Sequence, residues 1–198
     1  MRDVAGAILA GGEGRRMGGT NKALIEIGGQ RIIDRLLHVF RSCFEEVLIA
    51  AREASDFAGL GVAVAVDHFA LRCSLTGIHA ALAAARAPWV FVCACDTPFL
   101  RRELVLRLLA ERGPDCDAVV PIRENGLIEP LCAAYSKACL PHIEALLAAG
   151  KPQVIGFFSQ VRVRHAPVAL LREADPELES FLNVNTPGDL AALSGRKP

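Results

Sequence analysis

Leu9-Ala10-Gly11-Gly12-Glu13-Gly14-Arg15-Arg16-Met17-Gly18-Gly19-Thr20-Asn21-Lys22 decides how this chain is read. It follows directly on residues 4–10, a short apolar run that reads as a buried strand. A strand that opens into a glycine-rich loop suits phosphate recognition. Backbone N–H groups must turn toward anionic oxygens, and glycine permits the positive φ angles and close approach this needs. Arg15, Arg16 and Lys22 bring cations to the same loop. Arginine grips phosphate with two donors, whereas lysine acts as a mobile point charge. Two familiar phosphate loops do not fit. The spacing G-x-x-x-x-G-K-[ST] is absent, because Lys22 follows Asn21 and precedes Ala23. The spacing G-x-G-x-x-G fails because Gly14 is followed by Arg15, Arg16 and Met17. The plainer alternative is a surface loop whose glycines only make turns. The preceding strand and the three cations weigh against it.

Outward from the loop, strand and helix patterns alternate. Apolar residues at Ile32, Ile33, Leu36, Leu37 and Phe40 have helical spacing, which predicts a helix over residues 30–42. Further helices are expected at 77–86 with Thr76 as cap, at 100–111 before Gly113-Pro114, and at 136–149 before Gly150. A short last helix starts at Thr186-Pro187, with proline at its first position. Strands are expected at 47–51, 62–66, 89–95, 118–122, 131–135 and 161–168. Residues 172–180 read as a polar, acidic surface loop. This alternation implies an α/β fold: one three-layer, Rossmann-like domain over residues 1–198, with a mostly parallel sheet and helices on both faces. In such a sheet ligands sit beyond the carboxyl ends of the strands. Gly11, Asp67 and Asp96 all fall at such ends.

Composition bounds the function classes. A chain of 198 residues, 52% of them hydrophobic and 22% charged, is expected to be globular and to bury a core without disulfides. Its 22 basic and 22 acidic residues cancel, so it lacks the basic footprint of a general nucleic-acid binder. No apolar stretch reaches the ~20 residues of a membrane span. The seven cysteines are an odd count, and Met1-Arg2-Asp3 runs straight into the first strand without a leader pattern. Free thiols and a cytoplasmic location are therefore expected.

The run L-A-G-G-x-G-R-R-M-G-G-x-x-K resembles the signature of the molybdenum cofactor guanylyltransferases, within the nucleotidyltransferases of the sugar-nucleotide type. The resemblance continues along most of the chain. Ser74-Leu75-Thr76-Gly77-Ile78 occupies the place of that family's G-P-L-x-G-I segment. Cys95-Asp96-Thr97-Pro98-Phe99 is similar to its C-D-x-P-F, and Glu129-Pro130-Leu131-Cys132-Ala133-Ala134-Tyr135 to its H-P-L-x-x-x-Y. Asn183-Val184-Asn185-Thr186-Pro187 is similar to its N-[IV]-N-T-P. Three positions depart from the pattern. Asn21 stands where Asp is common, Cys73-Ser74 replaces Gly-Pro, and Glu129 stands where His is common.

The resemblance implies roles for individual residues. Leu9, Ala10, Gly11 and Gly12 would meet the base and sugar of a nucleotide, and Arg16 and Lys22 its phosphates. Cytidylyl relatives usually read L-A-A-G over these four positions and guanylyl enzymes L-A-G-G, and Gly12 in this segment is taken to leave room for a purine, which favours GTP. Asp67 would touch the ribose or base, its alternative being a strand-end turn cap. Asp96 would hold Mg²⁺, its alternative being a helix N-cap ahead of Pro98. Asn183 and Asn185 would contact the pterin substrate or the product, since amides pair with pterin and guanine edges. The implied partners are GTP and molybdenum-bound molybdopterin, with cofactor-delivery proteins and molybdoenzymes or their chaperones around them. The implied reaction is GMP transfer onto the terminal phosphate of the pterin. Two other readings stay open. One is a cytidylyl- or sugar-phosphate nucleotidyltransferase, and the other a nucleotide-binding protein without turnover. Cys93 and Cys95 read as buried structural thiols rather than metal ligands, and His38, His142 and His165 as ordinary residues. His68 and His79 flank the expected site, and Cys73 lies in its second segment.

Overall fold

In the computed structural model, which describes residues 1–12 and 21–193, the chain begins with β1 (Val4–Leu9), β2 (Glu26–Ile27), β3 (Gln30–Arg31), α1 (Ile32–Cys43), β4 (Val47–Ala51) and β5 (Ala63–Val66). It continues with α2 (Ser74–Ala84), β6 (Trp89–Ala94), α3 (Arg102–Leu109), β7 (Ala118–Ile122) and β8 (Cys132–Ser136). It closes with α4 (Leu140–Ala148), β9 (Val163–Pro167), α5 (Val168–Leu171) and α6 (Pro187–Leu193).

One seven-stranded sheet runs in the order β5-β4-β1-β6-β8-β7-β9. The β6–β8 and β7–β8 pairings are antiparallel, and the other four are parallel. The mostly parallel α/β sheet expected from the sequence is what forms. β1 is buried along its whole length, and its residues serve two cores. Val4 and Ile8 belong to the core with α1 and α3, through Leu36, Phe40, Leu104 and Leu108. Ala5, Ala7 and Leu9 belong to the core with α2 and α4, through Leu75, Leu82, Ile143 and Leu147. Burial on both faces explains why residues 4–10 are continuously apolar instead of alternating. Gly6 is required by packing. A Cβ there would lie 2.3 Å from Phe44 Cδ2 and 2.5 Å from Phe40 Cδ1.

Several boundaries differ from the sequence reading, each for a local reason. α1 starts at Ile32, because Gln30 and Arg31 pair with Ile27 and Glu26 in a hairpin. Its turn is Gly28-Gly29, with φ of +59° and +79°, the left-handed pair a tight hairpin uses. α2 starts at Ser74 and not at 77, and Thr76 is not its cap. The Thr76 hydroxyl donates to the Cys73 carbonyl at 2.8 Å from inside the first turn. Residues 137–139 form a separate 3₁₀ turn, so α4 begins at Leu140 and ends before Gly150, whose φ is +67°. Residues 172–180 are not simply a surface loop, since Asp175 and Ser180 are fully buried. The Asp175 carboxylate accepts from the Glu179 and Ser180 N–H groups at 3.1 and 2.8 Å. The Ser180 hydroxyl accepts from Arg101 N at 3.0 Å and so closes the start of α3. Among the described residues no helix is long and apolar enough to cross a membrane.

Candidate active site

The chain leaves β1 toward β4 on one side, and β6 later pairs with β1 on the other. Strand order therefore reverses at β1, and the loops beyond its carboxyl end separate, which is where an α/β sheet takes its ligand. A cleft of about 620 Å³ opens there. Gly11 and Gly12 enter it after β1, Arg52 after β4, Asp67 after β5 and Asp96 after β6. Lys22 and Asn185 complete the side near Asp96.

Lys22 and Asn185 are 163 residues apart and meet directly. Lys22 Nζ donates to Asn185 Oδ1 at 2.6 Å and lies 3.7 Å from the Asp96 carboxylate. Bonds to the backbone hold Asp96 and Asn185 in place. Cys95 N donates to Leu9 O at 3.0 Å, which carries the β1–β6 ladder one step past the strand end. Val184 N donates to Asp96 O at 2.8 Å. Val184 is fully buried and anchors the segment that presents Asn185. Asp189 steadies the same segment, its carboxylate accepting from the Asn185 and Thr186 N–H groups at 2.9 and 2.8 Å.

The Asp96 side chain is largely buried, at 20% exposure, and burial pushes its carboxyl above the usual range while nearby Lys22 opposes this. It is not the cap of α3, which starts six residues later at Arg102. Asp67 does two things at once. Its carboxylate lines the cleft 3.9 Å from Arg52, and Oδ1 accepts from Phe69 N at 3.0 Å to form the turn after β5.

The remaining expected residues divide. Leu9 lines the cleft. Ala10 sits in the core, its N–H donating to Ala50 O at 2.8 Å, and it does not line the cleft. Asn183 is exposed and does not line it either. Arg16 lies outside the described residues. Cys73 and Ser74 line the cleft at the start of α2, while His68 and His79 border a separate hollow beside β5. Cys93 and Cys95 are buried, and burial pushes the Cys95 thiol up to about 12. Two charged residues among the described cleft lining escaped the sequence reading, Arg52 and Arg72. The strand-end rule that singles out Asp67 and Asp96 applies equally to Arg52, the residue immediately after β4. With Lys22 they give the cleft, among the described residues, three cations against two carboxylates, a balance suited to a polyanionic ligand.

Comparison with known proteins agrees with this geometry. The family model described as the MobA-like NTP transferase domain matches residues 6–168. The chain is 40% identical to the molybdenum cofactor guanylyltransferase of Desulfosudis oleivorans, covering 96% of this chain and 94% of that one. It is 42% identical to a probable molybdenum cofactor guanylyltransferase of Pelotomaculum thermopropionicum, covering 96% and 91%. Among solved structures it resembles molybdopterin-guanine dinucleotide biosynthesis protein A from Archaeoglobus fulgidus. The TM-score is 0.83 at 29% identity, over 96% of each chain.

Proposed function

Because the chain belongs to the MobA-like NTP transferase family, we propose that it is a molybdenum cofactor guanylyltransferase. It transfers GMP from GTP to the terminal phosphate of molybdenum-bound molybdopterin and releases pyrophosphate. The observation that carries this reading is near-full-length likeness to guanylyltransferases at about 40% identity. A phosphate oxygen of the pterin attacks the α-phosphorus of GTP. A new P–O bond forms, the bond between the α-phosphorus and the bridging oxygen breaks, and pyrophosphate leaves with that electron pair. The nucleophile is already anionic, so no general base is required. Catalysis is positioning plus electrostatics.

The chain's own residues supply both. Gly11 and Gly12 offer close backbone approach at the end of β1. Among the described residues a Cβ at Gly12 would meet nothing within 4 Å, which supports room for a purine there. Leu9 and Ala10 help shape this end of the site, and Asp67 is placed for the ribose or base. Lys22 and Arg16 bind phosphate oxygens. Asn185, with Asn183 further out, faces the pterin or the product. Asp96 fits a magnesium ion. It is a single carboxylate at the cleft floor beside Lys22, and Mg²⁺ is commonly held by one or two carboxylates plus phosphate and water oxygens. Bound there, Mg²⁺ would offset charge on the triphosphate and orient the leaving pyrophosphate.

Residues 1–198 act as one catalytic domain in this reading. The described cysteines are all unpaired, which suits the cytoplasm. Delivery proteins and molybdoenzymes or their chaperones would supply the substrate and receive the product. Titration with GTP, CTP and ATP in turn, with Mg²⁺ present, tests the base assignment. GTP is expected to bind most tightly. Preference for CTP would instead make the chain a cytidylyltransferase, with the change traced to Cys73-Ser74 in the cleft wall.

A further inference from the structure

Lys22 Nζ has two acceptors in reach, the Asn185 amide oxygen at 2.6 Å and the Asp96 carboxylate at 3.7 Å. An ammonium on a long, rotatable stem binds a carboxylate more strongly than a neutral amide. Its preference for the amide therefore requires that the amide be held where the stem reaches it. Asp189, in the first turn of α6, supplies that hold. One of its oxygens, Oδ2, accepts from both the Asn185 and the Thr186 N–H groups, at 2.9 and 2.8 Å. The Thr186 hydroxyl accepts from Asp189 N at 3.1 Å in return. Thr186 and Asp189 thus form a capping box, in which each side chain serves the other residue's N–H. Here the carboxylate takes one N–H more, that of Asn185, and so fixes the residue whose side chain faces Lys22. The two N–H bonds also hold the Asp189 carboxyl below its usual range, so it is ionised and accepting at neutral pH. Asp189 itself does not line the cleft.

We propose that Asp189 is a positioning residue for triphosphate binding: through Asn185 it keeps Lys22 off Asp96, so that the cation stays directed at phosphate oxygens and the carboxylate stays open. This rests on the reading of the cleft as a GTP site. Without the clamp the Asn185 oxygen shifts, and Lys22 closes the remaining distance to Asp96 as a direct ion pair. Cation and carboxylate then satisfy each other, and a triphosphate has to part them in order to bind.

The test is calorimetric titration of the full chain and its variants with GTP. Asp189→Ala is expected to weaken GTP binding about five- to tenfold. Asp189→Asn keeps an acceptor oxygen in place and is expected to bind GTP within about twofold of the parent. Thr186→Val removes the other half of the capping box but leaves the bond from Asn185 N, and is likewise expected to keep the affinity. Asn185→Ala combined with Asp189→Ala should bind no more weakly than Asn185→Ala alone, because Asp189 acts through that amide. Asp189→Ser, whose oxygen is one bond short of the two N–H groups, repeats the test should Asp189→Ala not fold. Equal affinity of the parent and Asp189→Ala overturns the proposal, as do additive losses in the double variant. Asp189→Asn as weak as Asp189→Ala overturns it by assigning the effect to charge. An equal loss in Thr186→Val overturns it by assigning the effect to the start of α6 alone. Failure of the parent itself to bind GTP would overturn the functional reading and the proposal with it, whereas the other outcomes leave that reading standing.

Discussion

Lys22 lies between an amide and a carboxylate, and both contacts shape what it can do. The Asn185 oxygen fixes its Nζ at 2.6 Å, while Asp96 at 3.7 Å remains able to take another partner. Removing the carboxylate should therefore cost chemistry more than folding. Asp96→Ala is expected to lower turnover, measured as pyrophosphate release, by about 10² or more, with a parental circular dichroism spectrum. Asn185→Ala frees Lys22 without removing its charge. A lost hydrogen bond to a charged group is worth ~1.5–3 kcal/mol, so the apparent affinity for GTP should fall by roughly ten- to a hundredfold. At this scale Asp67 and Asp96 were legible, since each follows an apolar run and so lies at the carboxyl end of a strand. The Lys22–Asn185 contact was not, because nothing local links residues 163 positions apart. Arg35 was equally hidden. In the sequence it is one more charge within a helical pattern, and only packing shows that it faces inward.

Elements were readable where burial writes a pattern and obscure where backbone geometry decides. β7, at Ala118–Ile122, was legible to the residue because a buried strand between turn residues shows as an unbroken apolar run. The β2–β3 hairpin was missed, since two-residue strands carry no periodicity and Gly28-Gly29 was the only cue. The start of α2 was misplaced because Thr76 has a capping side chain, while the residue that occupies the cap is Cys73, which makes no side-chain cap bond. The packing of α1 on β1 yields a sharp prediction. Gly6→Ala places a methyl 2.3 Å from the Phe44 ring and 2.5 Å from Phe40. Such overpacking should destabilise the fold by ~1–3 kcal/mol, read as a lower urea midpoint with an unchanged slope. An unchanged midpoint would mean that both rings move aside freely.

For the whole molecule, charge ties the far edge of the sheet together. Asp117, just before β7, accepts from Arg162 Nε at 2.9 Å and Nη2 at 2.8 Å, and from Arg162 N at 3.0 Å just before β9. These bonds hold its carboxyl at about 2, below its usual 3.8. A depressed carboxyl stabilises the fold above the unfolded value and loses that contribution as pH falls through the folded one. Asp117→Asn should thus be less stable than the parent at neutral pH. The gap should narrow as pH drops from 3.8 toward 2. A gap that stays constant over that range would show that the pair contributes nothing through its charge. The doubly wound half of the sheet, with its ligand cleft at β1, followed from the strand–helix alternation. The antiparallel insertion of β8 between β6 and β7 did not, because strand order depends on pairings that an apolar run does not specify.

The measurement closest to the central claim is product formation from molybdenum-loaded molybdopterin supplied with GTP or CTP in Mg²⁺, with the dinucleotide and pyrophosphate quantified together. Guanine dinucleotide and pyrophosphate should appear in equal amounts with GTP, with little product from CTP. Cytosine dinucleotide as the favoured product, or no pyrophosphate from either nucleotide, would contradict the assignment.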